Sequence, residues 1–303
     1  MSAAHTPPLF HRHVAQSVST NSELIAALQA GELDCTHRHL LTADTQSGGR
    51  GQHGRSWQSP KGNVYLSLYH PLSVPLSGIL SLIIGSHLAA MPIIQILNDA
   101  RADNVPPIGV KWANDLGFYQ DVADTATGLH YFQKLAGILI EPVWYARRLV
   151  GIVIGVGVNV QTTPQLTART AEGMSYHAIS LQDIINDLPA PMTAPELPDL
   201  YTQTSNALTQ AVAQFIALSD DDTKATEQVI LREFAAADVL RGKTLRISES
   251  GQLADGTIMG RADGIDAHGC LRLVLADGEV ISLFTGRIDV IDPHATRNAH
   301  ALA

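Results

Sequence analysis

The ten residues GGRGQHGRSW, at positions 48–57, set four glycines beside two arginines, a histidine and a tryptophan. Glycine loses more backbone entropy on folding than any other residue, so Gly48, Gly49, Gly51 and Gly54 imply either a loose surface loop or a main chain that must approach something closely. Arg50 and Arg55 favour the second reading. A guanidinium fork matches carboxylate and phosphate oxygens, and neighbouring backbone N–H groups add a concave anion site. On its own the stretch leaves three readings open: an anion cradle, a solvated basic hairpin loop, and an RGG-like contact with RNA. The familiar phosphate motifs do not account for it. There is no GxxxxGK[ST], and GVGVN at 155–159 lacks the third glycine of a dinucleotide fingerprint and follows several other strands, so a nicotinamide enzyme is disfavoured.

Composition narrows the chemistry further. The 303 residues carry 20 Lys and Arg against 29 Asp and Glu, a formal net charge of −9. A general electrostatic grip on nucleic acid is therefore not expected, and any basic site is local. Cys35 and Cys270 are far apart and in no CxxC spacing, which argues against a disulfide framework or zinc knuckle and fits a reducing compartment. The paired histidines at 11 and 13 and at 37 and 39 have no carboxylate or cysteine at metal-site spacing, so they read as solvated and no metal ligand is assigned. The N-terminus has no signal-peptide pattern, and no apolar run approaches the ~20 residues of a membrane span. These features predict a soluble, cytoplasmic protein that engages neither DNA nor membrane.

Long enough for more than one domain, the chain has several elements that can position such a site. VSTNSELIAALQAG reads as a helix: Thr20 and Glu23 have capping-box spacing, Leu24, Ile25 and Leu28 share a face, and Gly31 can end it. NVYLSLYHPL alternates like a strand. SGILSLIIGSHLAAMPIIQIL predicts a buried helix that Pro92 kinks or divides. IGVKWAND, KLAGILIEPVW and VGIVIGVGVNV are strand candidates, with a polar insertion over residues 121–133 between the first two. Residues 161–195 read as loops and short helices; Leu208, Val212 and Phe215, then TEQVILREFAAADVL, as helices. From Arg241 onward, short alternating segments separated by Asp-Gly and His-Gly pairs predict a β-barrel of about fifty residues that leans on the larger domain.

Five stretches resemble, in order, those of biotin protein ligases: STN at 19–21, GRGQHGRSWQSPKGNVYLSL at 49–68, KWANDL at 111–116, KLAGILIE at 134–141 and GVGVN at 155–159. The resemblance covers residues 14–160 and continues in GRADGIDAHGCLRLV, which is similar to the family's C-terminal SH3-like domain. It implies an α+β architecture: a mixed β-sheet catalytic domain packed with helices, of the class II synthetase-like biotin/lipoate ligase fold, followed by a small SH3-like β-barrel. The implied organisation is a disordered tail over 1–12, a catalytic domain over 13–239, the barrel over 240–293 and a tail over 294–303. The implied activity joins biotin to ATP as biotinyl-5′-adenylate, then transfers biotin to a lysine of a biotin carboxyl carrier protein, that of acetyl-CoA carboxylase, with Mg²⁺ accompanying ATP. Only eighteen residues precede Ser19, so a ligase without a DNA-binding repressor domain is expected.

Carried over residue by residue, the resemblance assigns catalysis to Arg50, Lys111, Asp115 and Lys134. Biotin contacts fall to Ser19, Thr20, Gln46, Arg50, Gly51, Lys134, Gly137 and Gly157, the last leaving room for the biotin rings. ATP or adenylate contacts fall to Gly49, Gln52, Arg55, Trp57, Asn114 and Asn159, with Trp57 an apolar wall beside the adenine. Plainer readings stand beside these. Ser19 and Thr20 serve equally as helix caps, Asn114 and Asp115 as a strand-ending turn, and Lys111 and Lys134 as edge-strand charges. Gln52 stands where the family's loop has its second arginine, and Ala113 where proline is common. Arg287 is the tail cation placed to reach the site. The rival readings are a lipoate or octanoate ligase of the same fold and a nucleic-acid-binding module.

Overall fold

The computed structural model describes residues 7–125, 127–164, 175–218, 223–248 and 257–292. Its larger sheet has eight strands: β1 (Leu9–Ser17), β2 (Arg38–Gln46), β3 (Val64–Pro71), β4 (Gly109–Lys111), β5 (Asp115–Tyr119), β7 (Phe132–Tyr145), β8 (Arg148–Val158) and β9 (Tyr176–Ala178). The order is β1-β2-β3-β8-β7-β5-β4, with β9 beside β7. The β1–β2 and β7–β9 pairs are parallel and the others antiparallel, so the sheet is mixed.

Strand alternation divides the core between the two faces of this sheet. Leu66 and Leu68 of β3 and Ile152, Ile154 and Val156 of β8 join the larger cluster, under helices α2 (Ile79–Ala89), α3 (Pro92–Ala100), α5 (Leu197–Ala217) and α6 (Thr223–Ala237). Tyr69, Val143 and Val153 face the other way, packing with Leu24 and Leu28 of α1 (Thr20–Gln29). A short α4 (Leu181–Asn186) follows β9, capped by Ser180 and Asp183. Pro92 divides the long apolar segment as its missing N–H and fixed φ require, and α2 and α3 meet at a 60° bend. No single described helix is long and apolar enough to cross a membrane.

Two expectations are corrected at the ends of the chain. The loose tail read over residues 1–12 gives way to β1 from Leu9, whose residues run in parallel register with β2. Its side chains are mostly exposed, so backbone pairing holds it without the alternation that would have announced a strand. Residues 1–6 and 293–303, including the C-terminal tail, lie outside the described residues. The predicted barrel is a sheet with two ends: β6 (Leu129–His130), β10 (Thr244–Ser248), β11 (Ile258–Ile265), β12 (Leu271–Val274), β13 (Val280–Leu283) and β14 (Arg287–Ile291), in the order β13-β12-β11-β10-β14-β6. Its last strand comes from the insertion, Leu129 and His130 pairing with Ile291 and Val290. The Trp112–Ala113 peptide is cis.

Candidate active site

The site lies on the α1 face of the sheet, where three glycines leave the strands bare. Gly137 of β7 pairs with Gly157 of β8, and Gly155 stands two residues before it on the same face. A Cβ on Gly157 would lie 2.6 Å from the Trp57 indole, and one on Gly137 would lie 3.1 Å from it. A Cβ on Gly155 would collide with the Asn21 amide. The glycines thus admit one indole and one amide close to the backbone, and the space above Gly157, expected for biotin rings, holds Trp57.

The stretch 48–57 is a closed hairpin. Gly48 N–H donates to Val18 O at 2.8 Å, Trp57 N–H to Gly49 O at 2.8 Å and Gly51 N–H to Arg55 O at 2.7 Å. A 3₁₀ turn at Gln52–Gly54 forms its tip. Gly49 has a steric reason to be glycine: a Cβ there would strike Trp57 O and Ser59 Oγ. At Gly54, φ is +71°, the left-handed region that glycine enters without strain.

One end of the cavity is a polar network built on the start of α1. Ser19, not Thr20, is the N-cap, accepting from Ser22 N–H. Glu23 accepts instead from Ser17 Oγ at 2.6 Å and Val18 N–H at 3.2 Å, so the Thr20–Glu23 capping box does not form. Thr20 is thereby free for the site: its N–H and hydroxyl reach Gln46 Oε1 at 2.9 and 3.2 Å. Gln46 Nε2 donates to Ser59 Oγ at 3.0 Å. Ser67 lies 2.7 Å from Thr20 Oγ1 and also bonds Asn21 Oδ1.

The other end is ionic. Lys134 Nζ meets Asp115 Oδ1 at 2.8 Å, both side chains largely buried. Lys134 also stands 5.3 Å from the Trp57 ring and 5.2 Å from Tyr176, within cation–π range. Asn114 Nδ2 donates to Ile138 O at 3.0 Å. Arg50 forms a bidentate pair with Glu141, at 2.9 and 2.6 Å.

Of the residues singled out in the sequence, eleven line this cavity. Ser19, Thr20 and Gln46 form its neutral end, Arg50, Gly51, Gln52 and Trp57 come from the hairpin, and Asn114, Lys134, Gly137 and Gly157 come from the strands. Five do not. Asp115 stands behind Lys134, Gly49 is in the hairpin stem, and Arg55 is exposed on it. Asn159 is buried and donates to Ile179 O at 3.1 Å, a structural role. Lys111 is buried beside Phe132 and Tyr119, 5.0 and 5.9 Å from their rings. Burial pulls its pKa down to about 8, against the opposing pull of Asp115. Arg287 turns to Asp289 on its own strand, at 3.7 Å, rather than to the site. Sequence reasoning missed Asn21, Ser67, Gly155 and Glu141, although the first three stand inside quoted motifs and Glu141 closes one.

The mixed sheet with its helices is similar in fold to biotin protein ligases of known structure. The Aquifex aeolicus biotin protein ligase solved with biotin and ATP superposes with a TM-score of 0.60 at 18% identity, covering 93% of this chain and 97% of that one. The Leishmania major biotin protein ligase solved with biotinyl-5-AMP gives 0.52 at 22%, covering 91% and 98%. In sequence, the biotin--[acetyl-CoA-carboxylase] ligase of Mycobacterium tuberculosis is 33% identical over 213 residues, covering 68% of this chain and 69% of the relative. The bifunctional ligase/repressor BirA of Escherichia coli is 40% identical over 143 residues, 42% of this chain and 38% of that protein. The pattern of the biotin/lipoate A/B protein ligase family matches residues 17–159. The chain belongs to that family. It spans less than two thirds of the bifunctional relatives, 38% of the Escherichia coli protein and 62% of the Bacillus subtilis one.

Proposed function

We propose that this chain activates biotin with ATP and transfers it to a lysine of a biotin carrier domain, that of acetyl-CoA carboxylase. In the first step a biotin carboxylate oxygen bonds to the α-phosphorus of ATP and pyrophosphate leaves. In the second, a lysine amine attacks the acyl carbon of the mixed anhydride; the C–O bond to phosphate breaks, AMP leaves, and the amine loses its proton. The observation that carries the reading is a groove with two chemically different ends. The Thr20–Gln46–Ser67 network offers neutral donors and acceptors suited to a ureido ring, and Lys134 stands at the end where carboxylate and phosphate would meet. Such a cation, held in place before reaction, stabilises charge as it develops.

Asp115 holds Lys134 in place and is the carboxylate nearest to accept the amine's proton. Trp57 and the hairpin cover the groove and keep water from the anhydride. Mg²⁺ belongs to the proposal as the companion of ATP, neutralising triphosphate charge while bound chiefly by phosphate oxygens and water. That suits a groove with no carboxylate among its described lining residues, Asp115 and Glu141 beside it both being paired with cations. The relatives named as biotin ligases support biotin over lipoate. The test is pyrophosphate release by the full chain with Mg²⁺ and ATP, given biotin, lipoate or an oligonucleotide. Release with biotin alone is expected. Equal rates with lipoate, or none with biotin, would overturn the substrate assignment.

A further inference from the structure

Arg50 is not free to offer its charge to the groove. Both ends of its guanidinium are taken by Glu141, and Glu141 Oε2 also accepts from Asn21 Nδ2 at 2.9 Å. Asn21 in turn bonds Ser67, which reaches Thr20 and so Gln46, Ser59 and the Trp57 carbonyl. One continuous polar chain therefore runs from the stem of the hairpin, through β7, under the neutral end of the groove and back to the hairpin's other strand.

A carboxylate beside an anion-binding groove repels the ligand unless its charge is cancelled. If Arg50 swung away to meet phosphate, Glu141 would keep only the Asn21 amide and would face the incoming anions uncompensated. We infer that Glu141 is a positioning residue: it latches the hairpin stem through Arg50 and ties it to the Thr20–Gln46 end of the groove. Arg50 then acts by placing Gly49, Gly51 and Trp57, and phosphate charge is left to Lys134. The kinetic part of this inference rests on the biotin-ligase reading; the structural part does not.

Two measurements on the ligand-free and assayed full chain test it. The first is limited trypsin digestion, with cleavage of the Arg55–Ser56 bond followed by mass spectrometry. Glu141→Gln and Arg50→Gln should each speed that cleavage several-fold, the double variant should be no faster than either, and the exchange Arg50→Glu with Glu141→Arg should restore the slow rate. Equal cleavage of wild type and Glu141→Gln would overturn the latch. The second is biotin-dependent exchange of pyrophosphate into ATP. The two single variants should raise the biotin KM by the same factor, about tenfold, with the double variant no worse, since residues acting as one unit are not additive. A near-normal Glu141→Gln with a deeply impaired Arg50→Gln, and additive losses, would return Arg50 to the phosphate. Thermal melts within a few degrees of wild type show that the variants fold. If wild type itself shows no biotin-dependent exchange, the functional reading fails while the digestion still decides the latch.

Discussion

At Lys134 the ammonium sits 2.8 Å from Asp115 and beside Trp57, so its position is set before any ligand arrives. Removing one preorganised charge-assisted donor of this sort costs about 2.7–4 kcal/mol of transition-state stabilisation. Lys134→Ala should therefore slow adenylate formation by two to three orders of magnitude with an unchanged circular dichroism spectrum. A rate within twofold of wild type would leave it only a structural partner of Asp115. Lys111 makes a different prediction, about stability. Its folded pKa of about 8 lies below the ordinary 10.5, so between those values the unfolded chain binds more protons than the folded one. Stability then rises with pH across that window, and below about 8 the folded state carries the full cost of a buried charge. Lys111→Met should stabilise the protein at pH 7 by about 3 kcal/mol at most, and should flatten the rise in urea midpoint between pH 8 and pH 10. An undiminished slope in the variant would mean that another group carries it.

Among the elements, the glycine stretch was legible as a distinct loop from composition, which alone left an anion cradle, a solvated basic loop and an RNA contact open. Its closed form was not legible: it depends on backbone bonds between Gly49 and Trp57 and between Gly51 and Arg55, which no side-chain pattern encodes. The Arg50–Glu141 pair spans ninety-one positions in sequence, and nothing local marks it. α1 shows the converse. Its apolar face was plain, yet cap spacing misplaced its start by one residue, and that one residue decides whether Thr20 serves the helix or the groove. At the hairpin tip, Gln52 lines the cavity at the position where the resemblance leads one to expect a second arginine. If the adenylate phosphate passes near it, Gln52→Arg should slow release of the intermediate about tenfold, as ~1.4 kcal/mol represents. A rapid-mixing chase with an unchanged off-rate would show that Arg55 or His53 already fills that role.

Across the whole molecule, the C-terminal sheet was expected to lean on the larger domain, and the contacts are more intimate than that. The insertion contributes β6 to this sheet, Trp112 Nε1–H donates to Gly269 O at 2.9 Å, and Ser175 reaches Ile288 O. Leu245, Leu271, Leu273 and Val290 belong to the same buried cluster as Ile83 and Ile154. Trp112 directly follows Lys111, so the sheet also braces the strand that carries this buried charge. Ending the chain after Val239 would strip cover from that cluster and expose the Trp112 indole together with its apolar neighbours, a loss of burial worth about 25 cal/mol per Å² of apolar surface. The truncated chain should lose cooperative thermal unfolding or melt at least ten degrees lower. Trp112→Phe in the full chain isolates the bond: it removes the donor, leaves Gly269 O unpaired, and should cost about 1–3 kcal/mol in urea unfolding while biotin binding changes little, because Trp112 is not part of the groove. A truncated protein with the wild-type melting temperature would show that the sheet is an appendage rather than part of one core.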